Sequence, residues 1–145
     1  MATVARGSRR LTRAGYLLGF GLGGFFDGIL LHQILQWHHL LSLVEGVGDV
    51  RNQVLFDGLF HALMYVIAAI GLVMLARSRG VLGEPGAARL LFATVLIGFG
   101  VWHVADSVLS HWVLGIHRIK LDSPNPLVWD LIWFVLFALA PLVIG

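Results

Sequence analysis

The sequence predicts an all-α integral membrane protein, a four-helix bundle made of two repeated helical hairpins with both termini in the cytoplasm. Three observations carry that expectation. Of 145 residues, 58% are hydrophobic and only 12% are charged, with a mean hydropathy of +0.86, whereas soluble domains carry about a quarter charged residues. Four apolar segments are long enough to cross a ~30 Å hydrocarbon layer. The basic residues are divided unequally between the two sets of helix ends. Arg6, Arg9, Arg10, Arg13, Arg77, Arg79 and Arg89 fall on one side, against Arg51, Arg118 and Lys120 on the other, which by the positive-inside rule puts both termini in the cytoplasm.

The first span is expected over about 14–41, the second over 54–76, the third over 88–113 and the fourth over 127–144. Residues 1–13 then form a basic cytoplasmic N-terminus, and 14–145 a single four-span domain with repeat halves near 14–76 and 88–144. The intervening stretches "VEGVGDVRNQ", "RSRGVLGEPGAAR" and "GIHRIKLDSPNP" have the Gly, Pro, Asn and Asp content of turns. Arginines before an apolar stretch also suit a signal peptide, but no small-residue cleavage site follows and Asp27 interrupts the apolar run. The expectation is a retained span in a multi-pass protein of the bacterial inner membrane. The positive-inside pattern accounts for most of the basic charge, so no nucleic-acid partner is expected. The expected surroundings are membrane lipid. With no cysteine in the chain, disulfides, thiolate metal sites and thiol redox relays are excluded.

Ionisable groups inside spans are expensive and usually functional, and here they gather at one depth. At 1.5 Å rise per residue, Asp27 lies ~20 Å and His32 ~27 Å from the cytoplasmic face. The third span brings His103, Asp106 and His111 to the same outer half. The second and fourth meet Asp57 and Asp130 soon after entering from outside, with His61 one turn deeper. His38 stands at the outer end of the first span and His117 just beyond the third.

The polar residues also recur. "DGILLHQILQWH" (Asp27, His32, His38) and "DSVLSHWVLGIH" (Asp106, His111, His117) share a D-x4-H-x5-H spacing, with Asp27 and Asp106 79 positions apart. Asp57 in "FDGLF" and Asp130 in "WDLIW" follow in the next span of each half, 73 positions apart. Such repetition predicts two parallel hairpins around a pseudo-twofold axis. Asp57/His61 (i,i+4) and His103/Asp106 (i,i+3) each share a helix face, so these four are expected around a common centre. Asp27 and Asp130 would complete that centre or form its counterpart. On an α-helix His32 points about 140° from Asp27, so His32 either supports from behind or the helix is distorted. Gly19, Gly21, Gly23 and Gly24 thin the first helix for close packing.

Neutral imidazole with carboxylate suits a divalent transition metal, with copper, zinc or iron all open, and repeated Asp/His pairs are what orients ligating histidines. Haem b with histidine ligands is a further alternative. The chain as read is a membrane metal-binding protein or a membrane-embedded metal-dependent hydrolase or oxygenase acting on a lipid-soluble substrate, and whether it catalyses stays open.

"GFFDGILLHQILQWHHLLS", "DGLFHA", "LGIHRI" and "WDLIWF" resemble the signature segments of a bacterial membrane family, the domain of unknown function family 2243, over nearly all of the chain beyond the arginine-rich start. The resemblance implies a four-helix membrane protein without an assigned activity. It also implies a role in copper handling or with respiratory oxidase assembly factors, proteins beside which the family is often found. Trp112 and Arg118 depart from the family pattern, which has further histidines there, and His103 is an addition. No catalytic residue carries over.

Overall fold

A computed structural model describes residues 2–145, with side chains from residue 6 onward. The described residues form four helices long and apolar enough to cross a membrane, and no strand. Helix α1 (Ala2–Asp27) continues as a π-helical segment, π1 (Gly28–Ile34). Helix α2 (Val50–Ala76) returns, and α3 (Ala87–Asp106) rises again and likewise ends in a π-helical segment, π2 (Ser107–Val113). The last crossing is α4 (Pro126–Trp133), π3 (Phe134–Leu139) and α5 (Ala140–Ile144).

Helices α1 and α3 form the centre, with α2 against α1 and the π3/α5 stretch against α3. Small residues let the central pair approach. A Cβ on Gly19 would lie 2.0 Å from the Val95 carbonyl oxygen, and one on Gly98 would lie 2.2 Å from that of Tyr16. Backbone thus meets backbone on both helices, as in small-xxx-small membrane packing. Gly23 faces Trp102 on the same side, while Gly21 and Gly24 meet Ala68 and Met64 of α2. The outward faces of α2 and α4 carry exposed Leu55, Leu59, Leu63, Val128 and Leu131, a surface suited to lipid rather than water.

The first crossing lies earlier in the sequence than expected, over Arg6–Ile34. It ends at Ile34, not near residue 41, because the chain turns sharply at Gln36, whose φ of 50° is left-handed. Two widened bonds close the helix end, Leu35 N–H to Leu30 O (2.8 Å) and Trp37 N–H to Leu31 O (3.0 Å). Residues 35–49 then fold back over the bundle end as a loop instead of extending the helix. The third crossing closes in the same way 79 positions on: Gly115 has φ 62°, Leu114 N–H reaches Leu109 O (2.8 Å) and Ile116 N–H reaches Ser110 O (2.9 Å). Both loops, and the ends of all four crossings that they join, lie at the end of the bundle remote from the termini. Its apolar core there is small: Leu31, Ile119 and Trp133, flanked by Phe26, Trp37, Trp129 and Phe137. Most other buried side chains at that end are polar, with Phe60 packed against His32 among them.

Candidate metal centre

The π-helical segments decide which side chains meet. Asp27 and His32 are five apart, as are Asp106 and His111, and α-helical geometry would send the members of each pair to different faces. In a π-turn the backbone closes i to i+5, so residues five apart come into register. The turn at Gln36 or Gly115 then folds the following histidine back onto its own helix end. Two groups result: Asp27, His32 and His38, and Asp106, His111 and His117, each with one ligand atom per residue and these atoms within 4.8 Å of one another. All six residues are buried, none more than 5% exposed.

Three of the four imidazoles are held from behind by a hydrogen bond at Nδ1. His32 Nδ1–H donates to Asp57 Oδ1 (2.9 Å), His38 Nδ1–H to the Ile119 carbonyl (2.9 Å) and His117 Nδ1–H to the Leu40 carbonyl (2.9 Å). These acceptors have no proton to give, so the tautomer follows and the Nε2 lone pair faces the cluster. His111 Nδ1 lies 3.2 Å from Asp130 Oδ1, close but not aligned as a hydrogen bond. Its Nε2 is 3.0 Å from Asp106 Oδ2, and His117 Nε2 is 3.4 Å from Asp106 Oδ1.

The two groups are locked together by exchange. His38 of the first loop reaches the backbone of the second at Ile119, and His117 of the second reaches the first at Leu40, 79 positions before Ile119. The backbone N–H groups of the same residues donate to the supporting carboxylates, Leu40 to Asp57 Oδ1 (2.9 Å) and Ile119 to Asp130 Oδ1 (3.0 Å). Between the groups, His38 and His117 stack with ring centroids 4.5 Å apart and planes at 8°. His32 and His111 stand on the outer sides, their centroids 4.6 Å from His38 and 4.8 Å from His117 respectively.

Behind the supporting carboxylates the halves differ at two positions: Gln33, whose Nε2–H donates to Asp57 Oδ2 (3.4 Å), has Trp112 as its counterpart, and His39 has Arg118. In the first, His39 Nδ1 lies 2.6 Å from Asp57 Oδ2. In the second, Arg118 pairs with Asp130 Oδ2. These positions are 79 apart, so one register holds an imidazole in one half and a permanent cation in the other. Sequence reasoning did not include His39, although its place directly after His38 in the repeat could have marked it. It also did not foresee the Ile119 and Leu40 carbonyls as acceptors, because backbone atoms carry no residue signature.

His61 and His103, expected at the centre with Asp57 and Asp106, are not in either group. His103 donates its Nδ1–H to Phe99 O (2.9 Å) within its own helix, and its ring packs among Phe26, Phe99, Trp133 and Phe137. His61 is half-buried, its ring stacked near Phe25 and its Nε2 beside Gly28. The α-helical face argument joined them to the aspartates. The π-segments instead bring His32 and His111 into register with Asp27 and Asp106, and Asp57 and Asp130 turn to the backs of those histidines.

Outside the spans, His38 is pushed well below the ordinary imidazole pKa, first by burial and then by the neighbouring His117 and His32. It therefore stays neutral, the form that binds metal.

The donor geometry fits an ion. Nε2 of His32 and Nε2 of His38 are 3.1 Å apart, yet both rings have their N–H on the far side, so two lone pairs face each other. Donors ~2.0–2.1 Å from one tetrahedral ion sit about 3.3 Å apart. Asp27 Oδ1 is buried without a hydrogen-bond partner, and a bound cation would satisfy it. A haem fits poorly, because its axial imidazoles approach opposite faces of one porphyrin. The face-to-face stack of His38 and His117 leaves no slot for a macrocycle between them.

Fold and site together define a class: a four-span membrane protein with paired His/Asp clusters that could hold metal at one end of its bundle. Within that class the chain belongs to the family described as "Predicted membrane protein (DUF2243)", whose family model matches residues 14–145. No curated protein and no solved structure matches it.

Proposed function

We propose that this protein is a metal-binding protein of the bacterial inner membrane that holds two divalent transition-metal ions side by side near the outer face. Asp27, His32 and His38 hold one, and Asp106, His111 and His117 the other. The observation that carries this reading is the direction of the imidazoles: three donate Nδ1–H to fixed acceptors and the fourth has its Nδ1 beside a carboxylate, so that Nε2 of each is left for the cluster. That arrangement behind ligating histidines sets the tautomer and raises basicity. Nitrogen and carboxylate donors select divalent iron, zinc, manganese or copper over copper(I), which prefers sulfur. The working role is metal handling at the outer face, in support of respiratory oxidase assembly or copper supply.

A second reading, a metal-dependent membrane enzyme, has its own support. Two histidines and one carboxylate leave coordination positions open, and two ions held by adjacent stacked histidines resemble the pairing of two-metal sites.

Metal analysis of the purified protein tests the proposal. About two ions per chain are expected, falling to about one in His32→Ala and in His111→Ala, and unchanged in His103→Ala. A protein that stays metal-free after exposure to iron, zinc, manganese and copper refutes it, as does loss of metal in His103→Ala with retention in His32→Ala.

A further inference from the structure

The end of the bundle that carries the termini holds a second concentration of charge. Arg6, Arg9, Arg10 and Arg13 follow one another at helical spacings that place all four on one face of α1. All four are exposed, while Leu11 and Ala14 on the other side are buried. The four arginines and Met74 of α2 line a cleft of about 310 Å³. An adjoining cleft of about 370 Å³ shares Arg6 and Arg10 and adds Arg77 and Val81. Arg10 Nη1–H donates to the Arg77 carbonyl (3.1 Å), which fixes the stripe beside the end of α2.

These guanidiniums have no acidic partner. Among the described residues no carboxylate lies within ion-pair distance of Arg6, Arg9, Arg10, Arg13 or Arg77. Glu84 of the connecting loop lines a different cleft, with Ser8 and Leu11. Five like charges so close together repel unless an anion joins them. The positive-inside rule accounts for basic residues on this side, but not for their alignment on one face or for an apolar Met74 among them.

We propose that this cleft binds the headgroup of an anionic phospholipid. The guanidiniums take the phosphate, as planar forks suited to phosphate oxygens. Met74 lies on the membrane side of the cleft, one turn into α2 from Arg77, where the start of an acyl chain would run. Basic pockets between spans on the cytoplasmic side are recognised by such lipids. Free phosphate shares the charge but has nothing for Met74 to touch. The site is independent of the metal pair at the opposite end.

The test uses the full chain in a neutral detergent, titrated calorimetrically with short-chain phosphatidylglycerol, short-chain phosphatidylcholine and inorganic phosphate. Saturable binding of phosphatidylglycerol is expected, with far weaker binding of the other two and with affinity that falls as salt is raised. Arg6→Gln and Arg13→Gln should each weaken phosphatidylglycerol binding about fivefold, and together about 25-fold. Neither side chain donates a hydrogen bond within the protein among the described residues, so the fold should persist, and unchanged helical circular dichroism checks that it does. Met74→Gln should bring phosphatidylglycerol down toward the affinity of phosphate. The proposal is overturned if phosphatidylcholine binds as well as phosphatidylglycerol, if inorganic phosphate matches it, or if the double arginine variant retains full affinity.

Discussion

At the scale of the residue, the most informative pair is His39 and Arg118. Both stand behind a supporting carboxylate, but Arg118 carries a permanent positive charge that neutralises Asp130, whereas His39 sits against Asp57 as an imidazole. A less negative support makes His111 a poorer donor than His32, so the second cluster should bind metal more weakly. Changes behind a ligand typically alter affinity 10–100-fold. Competition titrations should therefore resolve two classes of ion, and Arg118→His should bring them together by strengthening the weaker one. A single affinity class in the unaltered protein would contradict this. A pH effect follows from His38, whose pKa is lowered by burial and by His117 and His32. The folded protein resists the proton that the unfolded chain accepts at about pH 6.5. Its contribution to stability is then complete above that pH and is lost as pH falls below it, toward the depressed folded value. Melting temperature of the metal-free protein should be level above about pH 7 and decline below about pH 6.5, with a shallower decline in His38→Gln. An identical decline in the variant would remove His38 as the cause.

At the scale of the element, the π-segments convert a repeated sequence spacing into a repeated geometry. A π-turn amounts to one residue inserted into an α-helix. Inserting one alanine after Ile29 in π1 (Gly28–Ile34) would set Asp27 and His32 six apart, beyond the i to i+5 closure of the π-turn, and would turn the loop that carries His38 by about 100°. The expected result is loss of the first ion with retention of the second, read as metal per chain beside the intact protein. An alanine inserted after Val108 should do the reverse in π2 (Ser107–Val113). If either insertion leaves both ions in place, the π-segments are not what assembles the clusters. The glycine contacts of α1 with α3 act on the same scale. They set how closely the two central helices approach and so whether the loops above them can exchange His38 and His117.

At the scale of the whole molecule, topology and charge combine into an orientation. All six cluster residues lie at the end remote from the termini, and seven of ten basic residues lie at or near the other end. Cytoplasmic termini would present the metal pair to the outer face and the arginine cleft to the inner leaflet. The chain has no cysteine of its own, so single substitutions at exposed Glu45 and Glu84 can report on this directly. Glu45→Cys should react with a membrane-impermeant maleimide in intact cells. Glu84→Cys should react only after the membrane is opened. The opposite labelling pattern would invert the assignment.

Much of the fold was legible in the sequence because it depends on composition and length. Apolar segments of spanning length become helices, since lipid offers the backbone no other hydrogen-bond partners, and the glycines marked the faces along which α1 packs. The membership of each cluster was legible only in part. The repeated D-x4-H-x5-H singled out Asp27, His32, His38 and their counterparts, but α-helical angles argued against their meeting and favoured Asp57, His61, His103 and Asp106. Only the tertiary structure decided between these sets. The π-turns and the left-handed turns at Gln36 and Gly115 bring the histidines round, and the exchange of His38 and His117 for the Ile119 and Leu40 carbonyls joins residues some 80 positions apart. Local spacing is read along one helix, whereas a site buried between two loops is set by what each loop finds on the other.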